Sequence, residues 1–221
     1  MTHAAVTHPP VTRPAVRPHV AIVDYGMGNL ASVAKAFRTV GAEASIISTP
    51  AEVDAAAVLV VPGVGAFPDA MANLRAAGLV EPLQRAARAG RPLLGICLGM
   101  QLLFSRGTEK ADCAGLDLLE GTVVRFPDDA SLKVPHMGWN QVRPAAPHAL
   151  FDGVAAGSWV YFVHSYYPQP TDPATILATA DYGRDFACVV GRGKTLGIQF
   201  HPEKSQRVGL HLLENFLKLA A

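Results

Sequence analysis

The sequence predicts an α/β fold: an open, mostly parallel, doubly wound sheet with helices on both faces and antiparallel strands added in the second half. Three observations predict it. From His19 onward, short apolar runs alternate with segments of helical spacing, the signature of a parallel sheet covered on both sides. The run Val20-Ala21-Ile22-Val23 is apolar throughout, as a strand buried on both faces requires. After Phe104 the strand candidates shorten and are separated by Pro- and Gly-bearing turns at hairpin-like spacing.

The elements follow in order. Residues 20–23 read as the first strand. Residues 29–40 read as a helix, because Leu30, Val33, Ala34 and Phe37 share one face and Gly41 follows as a C-terminal cap. Residues 44–47 and 58–61 are further strands, the second ending at Pro62-Gly63. Residues 67–89 hold two helical pieces broken around Gly78 and Pro82, and Gly90 stops the second. Residues 92–96 form the strand that delivers Cys97. Later strands are expected at 122–126, 160–163, 176–180, 187–190 and 196–200. A last helix starts near Ser205, read as its N-cap, and gathers Val208, Leu212, Leu213, Phe216 and Leu217 on one face.

With 221 residues and 50% hydrophobic content the chain can bury a substantial core, on the order of 70% of its unfolded surface. Residues 19–221 read as a single domain. Residues 1–18 carry four prolines and no apolar block, so they read as a disordered tail rather than a signal peptide. They are acid-free and contain Arg13 and Arg17, as a transit peptide would, but the prolines would break its amphipathic helix. Nineteen basic against 18 acidic residues, without like-charged runs, gives no footprint for nucleic acid or anionic lipid. The three cysteines Cys97, Cys113 and Cys188 are widely spaced and form no C-x-x-C pair, which points to a reducing cytoplasm and away from a disulfide framework or zinc site.

Four stretches could carry chemistry. In Gly95-Ile96-Cys97-Leu98-Gly99 a cysteine sits between glycines at a strand-to-helix junction. A nucleophile presented from such an elbow needs small neighbours, because side chains there would collide with the adjacent strand or helix. The start of a following helix would favour a thiolate. A base is the next requirement, and Gly197-Ile198-Gln199-Phe200-His201-Pro202-Glu203 supplies one with an acid two residues on. If extended, His201 and Glu203 point to the same side and the carboxylate can orient the imidazole. The third stretch, Pro62-Gly63-Val64-Gly65, follows a strand; its glycines suit either close backbone N–H donors for an oxyanion or an ordinary tight turn. The fourth, Gly26-Met27-Gly28-Asn29-Leu30-Ala31, has the G-x-G-x-x-A form of a dinucleotide fingerprint, but the second strand ends in Ile46-Ile47-Ser48-Thr49 without the acid that would bind a ribose. A glycine-permitted turn at a protein contact is the better use. His136, His148, His164 and His211 show no ligand spacing and read as structural.

Together, GICLGMQLLF and GIQFHPEKS resemble the class I, or triad, glutamine amidotransferases. With DYGMGNLAS, PGVGAF, PHMGWN and YFVHSYY, the chain from about His19 to Leu219 is similar to the glutaminase subunits of imidazole glycerol phosphate synthases. The resemblance implies a flavodoxin-like class I glutaminase fold, hydrolysis of glutamine through a Cys97-His201-Glu203 triad and a glutamyl thioester, and no cofactor or metal. It implies oxyanion donors at the N–H groups of Leu98 and, after a loop adjustment, of the PGVG segment near Gly65, and substrate contacts at Gly63, Gln101, Ser165 and Tyr166. It further implies a heterodimer with a β/α-barrel cyclase subunit, faced by Asn29, Trp139, Tyr161 and Lys204, which takes the ammonia to make imidazole glycerol phosphate and AICAR. Alternatives are a triad glutaminase of the pyridoxal phosphate type, a G-x-C-x-G cysteine hydrolase using Asp172, Asp181 or Asp185, or a silent scaffold.

Overall fold

A computed structural model describes residues 17–128 and 132–221. The first half builds a parallel core from β1 (His19–Val23), α1 (Leu30–Thr39), β2 (Glu43–Ile47), α2 (Pro50–Ala55), β3 (Leu59–Gly63), α3 (Phe67–Ala76), α4 (Val80–Arg88) and β4 (Leu93–Cys97). Strand β1 pairs in parallel with β2 and β3, and β3 with β4. Pro18, assigned to the tail by the sequence reading, already belongs to this sheet edge, since its carbonyl accepts from the Glu43 amide at 2.9 Å. Arg17, also assigned to the tail, is exposed, and residues 1–16 lie outside the described residues.

The second half contributes α5 (Leu98–Leu102), β5 (Phe104–Gly107), β6 (Cys113–Ala114), β7 (Leu119–Arg125), β8 (His136–Pro144), β9 (Ser158–His164), β10 (Tyr166–Pro170), β11 (Ile176–Asp181), β12 (Asp185–Arg192), β13 (Thr195–Ile198) and α6 (Gln206–Ala220). Among the described residues the strands form two sheets, a large one in the order β2-β1-β3-β4-β13-β12-β11-β8-β9 and a small one in the order β10-β7-β5-β6. Strand β13 runs parallel to β4, and the strands beyond it are antiparallel, as expected.

Helices cover both faces of the large sheet. On one side α1 and α6 meet through the buried rings of Phe37 and Phe216, edge to face with centroids 6.4 Å apart. On the other side Met71 and Leu74 of α3, Leu83 of α4 and Met100 of α5 pack on Val61 and Leu93. Burying a side chain of this size contributes about 1.5–3 kcal/mol, so each face is held by several such anchors. Among the described residues no helix is long and apolar enough to cross a membrane.

Three local readings are corrected and one helix is added. Pro82 does not break the helical segment; it lies in the first turn of α4, where the missing N–H would have no partner in any case, and the break falls at Gly78 alone. Helix α2 has no counterpart in the sequence reading, although Thr49 and Glu52 form a capping box with Pro50 at the first position. Ser205 precedes α6 but makes no side-chain cap; its hydroxyl serves His201 instead. The helix after Cys97 is only five residues long, too short to gather much of a macrodipole.

Candidate active site

Strand β4 is buried along its whole length and ends on Cys97, whose backbone takes φ 56° and ψ −112°. This positive φ turns the side chain out of the sheet at the carboxyl edge, where open α/β sheets place their ligands. The flanking glycines are required by close approach. A Cβ on Gly99 would overlap the Val61 carbonyl oxygen, far inside van der Waals contact distance, and one on Gly95 would lie 2.6 Å from the Gly99 oxygen. The elbow thus explains both glycines. Cys97 is 6% exposed; its thiol lies 3.9 Å from the Val163 carbonyl, and the Gln199 amide approaches the sulfur at 3.9 Å.

His201 reaches the same place from β13. Its N–H donates to the Tyr161 carbonyl, and its own carbonyl accepts from Ser205 Oγ at 2.7 Å, while that hydroxyl accepts from the Tyr161 N–H at 2.9 Å. The histidine backbone is therefore clamped to β9. Only His201 is extended; the chain then closes a 3₁₀ turn over Pro202–Lys204, and this turn, rather than a continued strand, brings Glu203 Oε1 to 2.8 Å from His201 Nδ1. Both side chains are buried. Nε2, turned away from Glu203, has no hydrogen-bond partner among the described residues and neighbours the Cys97 sulfur. Burial opposes charge on this imidazole, but its interactions with Cys97 and Glu203 outweigh it and hold the ring up at about 10.

The two side chains meet in a cavity of about 370 Å³, lined also by Val64, Gly65, Leu98, Gln101, Glu109, His164, Ser165 and Tyr166. Gln101 Nε2 donates to the Tyr166 carbonyl at 2.9 Å and to Gln199 Oε1 at 3.1 Å, and among the described residues no hydrogen bond engages Gln101 Oε1. Gly63 ends β3 next to Val64 and is not among the residues lining this cavity; a Cβ there would collide with the Tyr25 hydroxyl and lie 3.0 Å from the Leu98 Cβ.

The class-I glutamine amidotransferase family model matches residues 21–220. The chain belongs to that family. This amidotransferase is 53% identical over 202 residues to imidazole glycerol phosphate synthase subunit HisH of Syntrophotalea carbinolica, covering 89% of this chain and 98% of the relative. It is 54% identical over 200 residues to the subunit of the same name from Moorella thermoacetica, covering 90% and 94%. Among solved structures, a glutamine amidotransferase superimposes with a TM-score of 0.71 at 22% identity over 91% of this chain and 98% of the other. PurLQS from Thermotoga maritima does so with 0.72 at 17% identity over 92% and 99%. At such identities the likeness shows the fold alone.

Three of the four residues expected to face a partner cluster on one surface of the amidotransferase. Trp139 meets Tyr161 edge-on at 6.1 Å, and Lys204 Nζ lies 5.8 Å from the centre of the Tyr161 ring. Trp139 is 44% exposed, unusual for so large an apolar side chain. Asn29 is exposed at the start of α1, which packs against the 202–204 turn.

Three cavity features escape the sequence reading. Gln199 stands two residues before His201 and so shares its side of an extended chain, a signal that the spacing does carry. Glu109 caps the N–H of Phe67 at 2.8 Å from a loop 42 residues away, which no local pattern reveals. His136 and His164, unrelated by spacing, face each other with ring nitrogens 3.0 Å apart.

These histidines make stability pH-dependent. Burial pushes His136 down to about 4, and burial chiefly pushes His164 down to about 3, from an ordinary value of 6.5. Below 6.5 the unfolded chain therefore binds protons that the folded chain refuses, and stability is lost as pH falls, by up to about 1.4 kcal/mol per pH unit for each ring. For His201 the sign reverses. Its folded value of about 10 means that its contribution is complete below 6.5 and is lost as pH rises toward 10. Thermal midpoints measured against pH are expected to fall on both sides of a maximum near 6.5, with a shallower acid limb when His136 is replaced by Asn.

Proposed function

We propose that Cys97, His201 and Glu203 hydrolyse L-glutamine to glutamate and ammonia. The sulfur attacks the side-chain carboxamide, and the oxyanion of the tetrahedral intermediate is held by the N–H groups of Leu98 and Gly65. His201, protonated on Nε2, hands its proton to the departing nitrogen, leaving a glutamyl thioester and neutral ammonia. The imidazole then takes a proton from water as it attacks the thioester, and glutamate leaves as the thiolate returns. Glu203 on Nδ1 fixes the ring so that Nε2 faces the sulfur. Gln101 Oε1 is placed to accept from the substrate α-ammonium, with Ser165 and Tyr166 as the neighbouring wall.

The observation that carries this reading is the buried His201–Glu203 pair, 2.8 Å apart, whose imidazole lines the cavity that holds Cys97. It also weighs against the cysteine-hydrolase alternative. The acid on His201 is Glu203, whereas Asp172 caps a 3₁₀ turn and Asp185 pairs with Arg143 on the surface. The relatives, at about half identity, bear the name of imidazole glycerol phosphate synthase subunits and not of a pyridoxal phosphate enzyme.

The ammonia is delivered to a β/α-barrel cyclase that forms a heterodimer with this chain across the face of Asn29, Trp139, Tyr161 and Lys204. Its products are imidazole glycerol phosphate and AICAR, within histidine biosynthesis. Ammonia freed into bulk water would protonate and lose its nucleophilic lone pair, so a covered route to the partner is part of the proposal. The reaction is assigned to the cytoplasm, with which the three free cysteines agree.

Ammonia release from glutamine by the chain mixed with such a synthase is the direct test. In that assay Glu203→Gln is expected to lower kcat by about 10²–10⁴-fold with little change in KM, because the wrong face of the imidazole then competes for the sulfur. A kcat within about tenfold of the unaltered chain would remove Glu203 from the triad.

A further inference from the structure

Two buried histidines take no part in the triad, yet one of them lines its cavity. His136 on β8 and His164 on β9 are cross-strand partners, with His136 Nδ1 3.0 Å from His164 Nε2. His164 Nδ1 lies 2.8 Å from the Tyr166 carbonyl oxygen, and His136 Nε2 lies 3.3 Å from Asn140 Nδ2. A carbonyl oxygen only accepts, so His164 carries its proton on Nδ1 and its Nε2 accepts. His136 must then donate from Nδ1, and its Nε2 accepts from the Asn140 amide. The orientation of that amide is fixed independently, because its nitrogen donates to the Asp181 carbonyl at 2.7 Å and its oxygen accepts from the Gln141 N–H at 2.7 Å.

Every bond in the chain thus runs one way, from half-buried Asn140 through two neutral rings to the cavity wall. The polarity is protected by packing. The His136 ring is stacked between Phe162, with centroids 4.8 Å apart, and Tyr182, at 4.1 Å, so it cannot turn over without opening an aromatic cluster. At the far end the Tyr166 carbonyl accepts twice, from His164 and from Gln101.

We propose that Asn140 and His136 are positioning residues for the glutamine subsite: they hold His164 in its Nδ1–H tautomer, which with Gln101 locks the Tyr166 carbonyl and the adjoining cavity wall. The inference rests on the glutaminase reading above. In the other tautomer a lone pair on His164 Nδ1 would face the Tyr166 oxygen, the peptide would rotate, and Gln101 would lose its anchor. Substrate affinity would suffer, while Cys97, His201 and Glu203 would keep their geometry.

Glutaminase kinetics of the full chain mixed with the barrel synthase, comparing His136→Phe with His136→Asn, test this. Phenylalanine keeps the ring stack and deletes the donor; asparagine deletes the ring and places an N–H where Nδ1–H stood. H136F is expected to raise KM for glutamine about tenfold with kcat within about twofold, and H136N to stay within about twofold in both. A packing role would reverse the order of the two variants. Wild-type KM in H136F, or an H136N no better than H136F, overturns the proposal. Should H136F fail to fold, nitrogen-15 NMR of the unaltered chain at neutral pH decides: both rings are expected as Nδ1–H tautomers, and an Nε2–H form of either overturns it. An unaltered chain that releases no ammonia would sink the glutaminase reading instead, and the NMR result would still judge the tautomers.

Discussion

Replacing Cys97 by alanine is expected to lower ammonia release from glutamine by at least about 10⁴-fold, because covalent catalysis is lost outright and only binding and oxyanion donors remain. The loss should be confined to glutamine. The cavity, the His201–Glu203 pair and the surface carrying Trp139, Tyr161 and Lys204 do not depend on the sulfur for their position. Assembly with the synthase should therefore survive, and added ammonium salt should support product formation at the rate of the unaltered complex. The measurement is paired: product formed with glutamine and with ammonium. A C97A chain that still turns over glutamine would show that the nucleophile lies elsewhere, and one that fails with ammonium as well would show that the residue is needed for assembly.

Gly99→Ala is expected to destabilise the chain by more than about 4 kcal/mol, a large fraction of the roughly 5–15 kcal/mol that holds a typical domain folded. The added methyl overlaps the Val61 carbonyl oxygen and lies 2.8 Å from the Val61 carbonyl carbon. Neither atom can yield, because Val61 sits in β3, fully buried between β1 and β4. Gly90 offers a control. It has φ +74°, but nothing lies within 4 Å of the place its Cβ would take, so Gly90→Ala meets only the backbone cost of about 1–2 kcal/mol. Denaturant midpoints of the two variants compare close approach with backbone preference. A G99A chain within about 1 kcal/mol of the unaltered protein would mean that the elbow can relax.

Much of this site is legible because its constraints are local. The glycines on either side of Cys97 mark a junction where two backbones nearly touch, and His201 and Glu203 are separated by a single residue. The parallel half of the sheet is legible for a similar reason, since each buried strand is a continuous apolar run. What escapes is decided by partners far along the chain. Strand β10 reads Tyr-Tyr-Pro-Gln-Pro, and its two prolines disguise an edge strand that, among the described residues, pairs only with β7. Strand β8 carries glycine and asparagine and few β-branched residues, and is held by β9 and β11 rather than by its own propensity. The pairing of His136 with His164 exists only once those two strands are in register. The capping box at Thr49, by contrast, is a local signal, written in Thr49, Pro50 and Glu52 themselves.

The backbone of Cys97, at φ 56°, lies where an L side chain is strained by about 1–3 kcal/mol and glycine is not. The best residue for endurance and the best residue for chemistry are therefore different at this one position. On the mechanism proposed above, selection for heat tolerance alone would carry it toward glycine and yield a sturdier, inert subunit, and demand for nitrogen from glutamine is what would keep sulfur there.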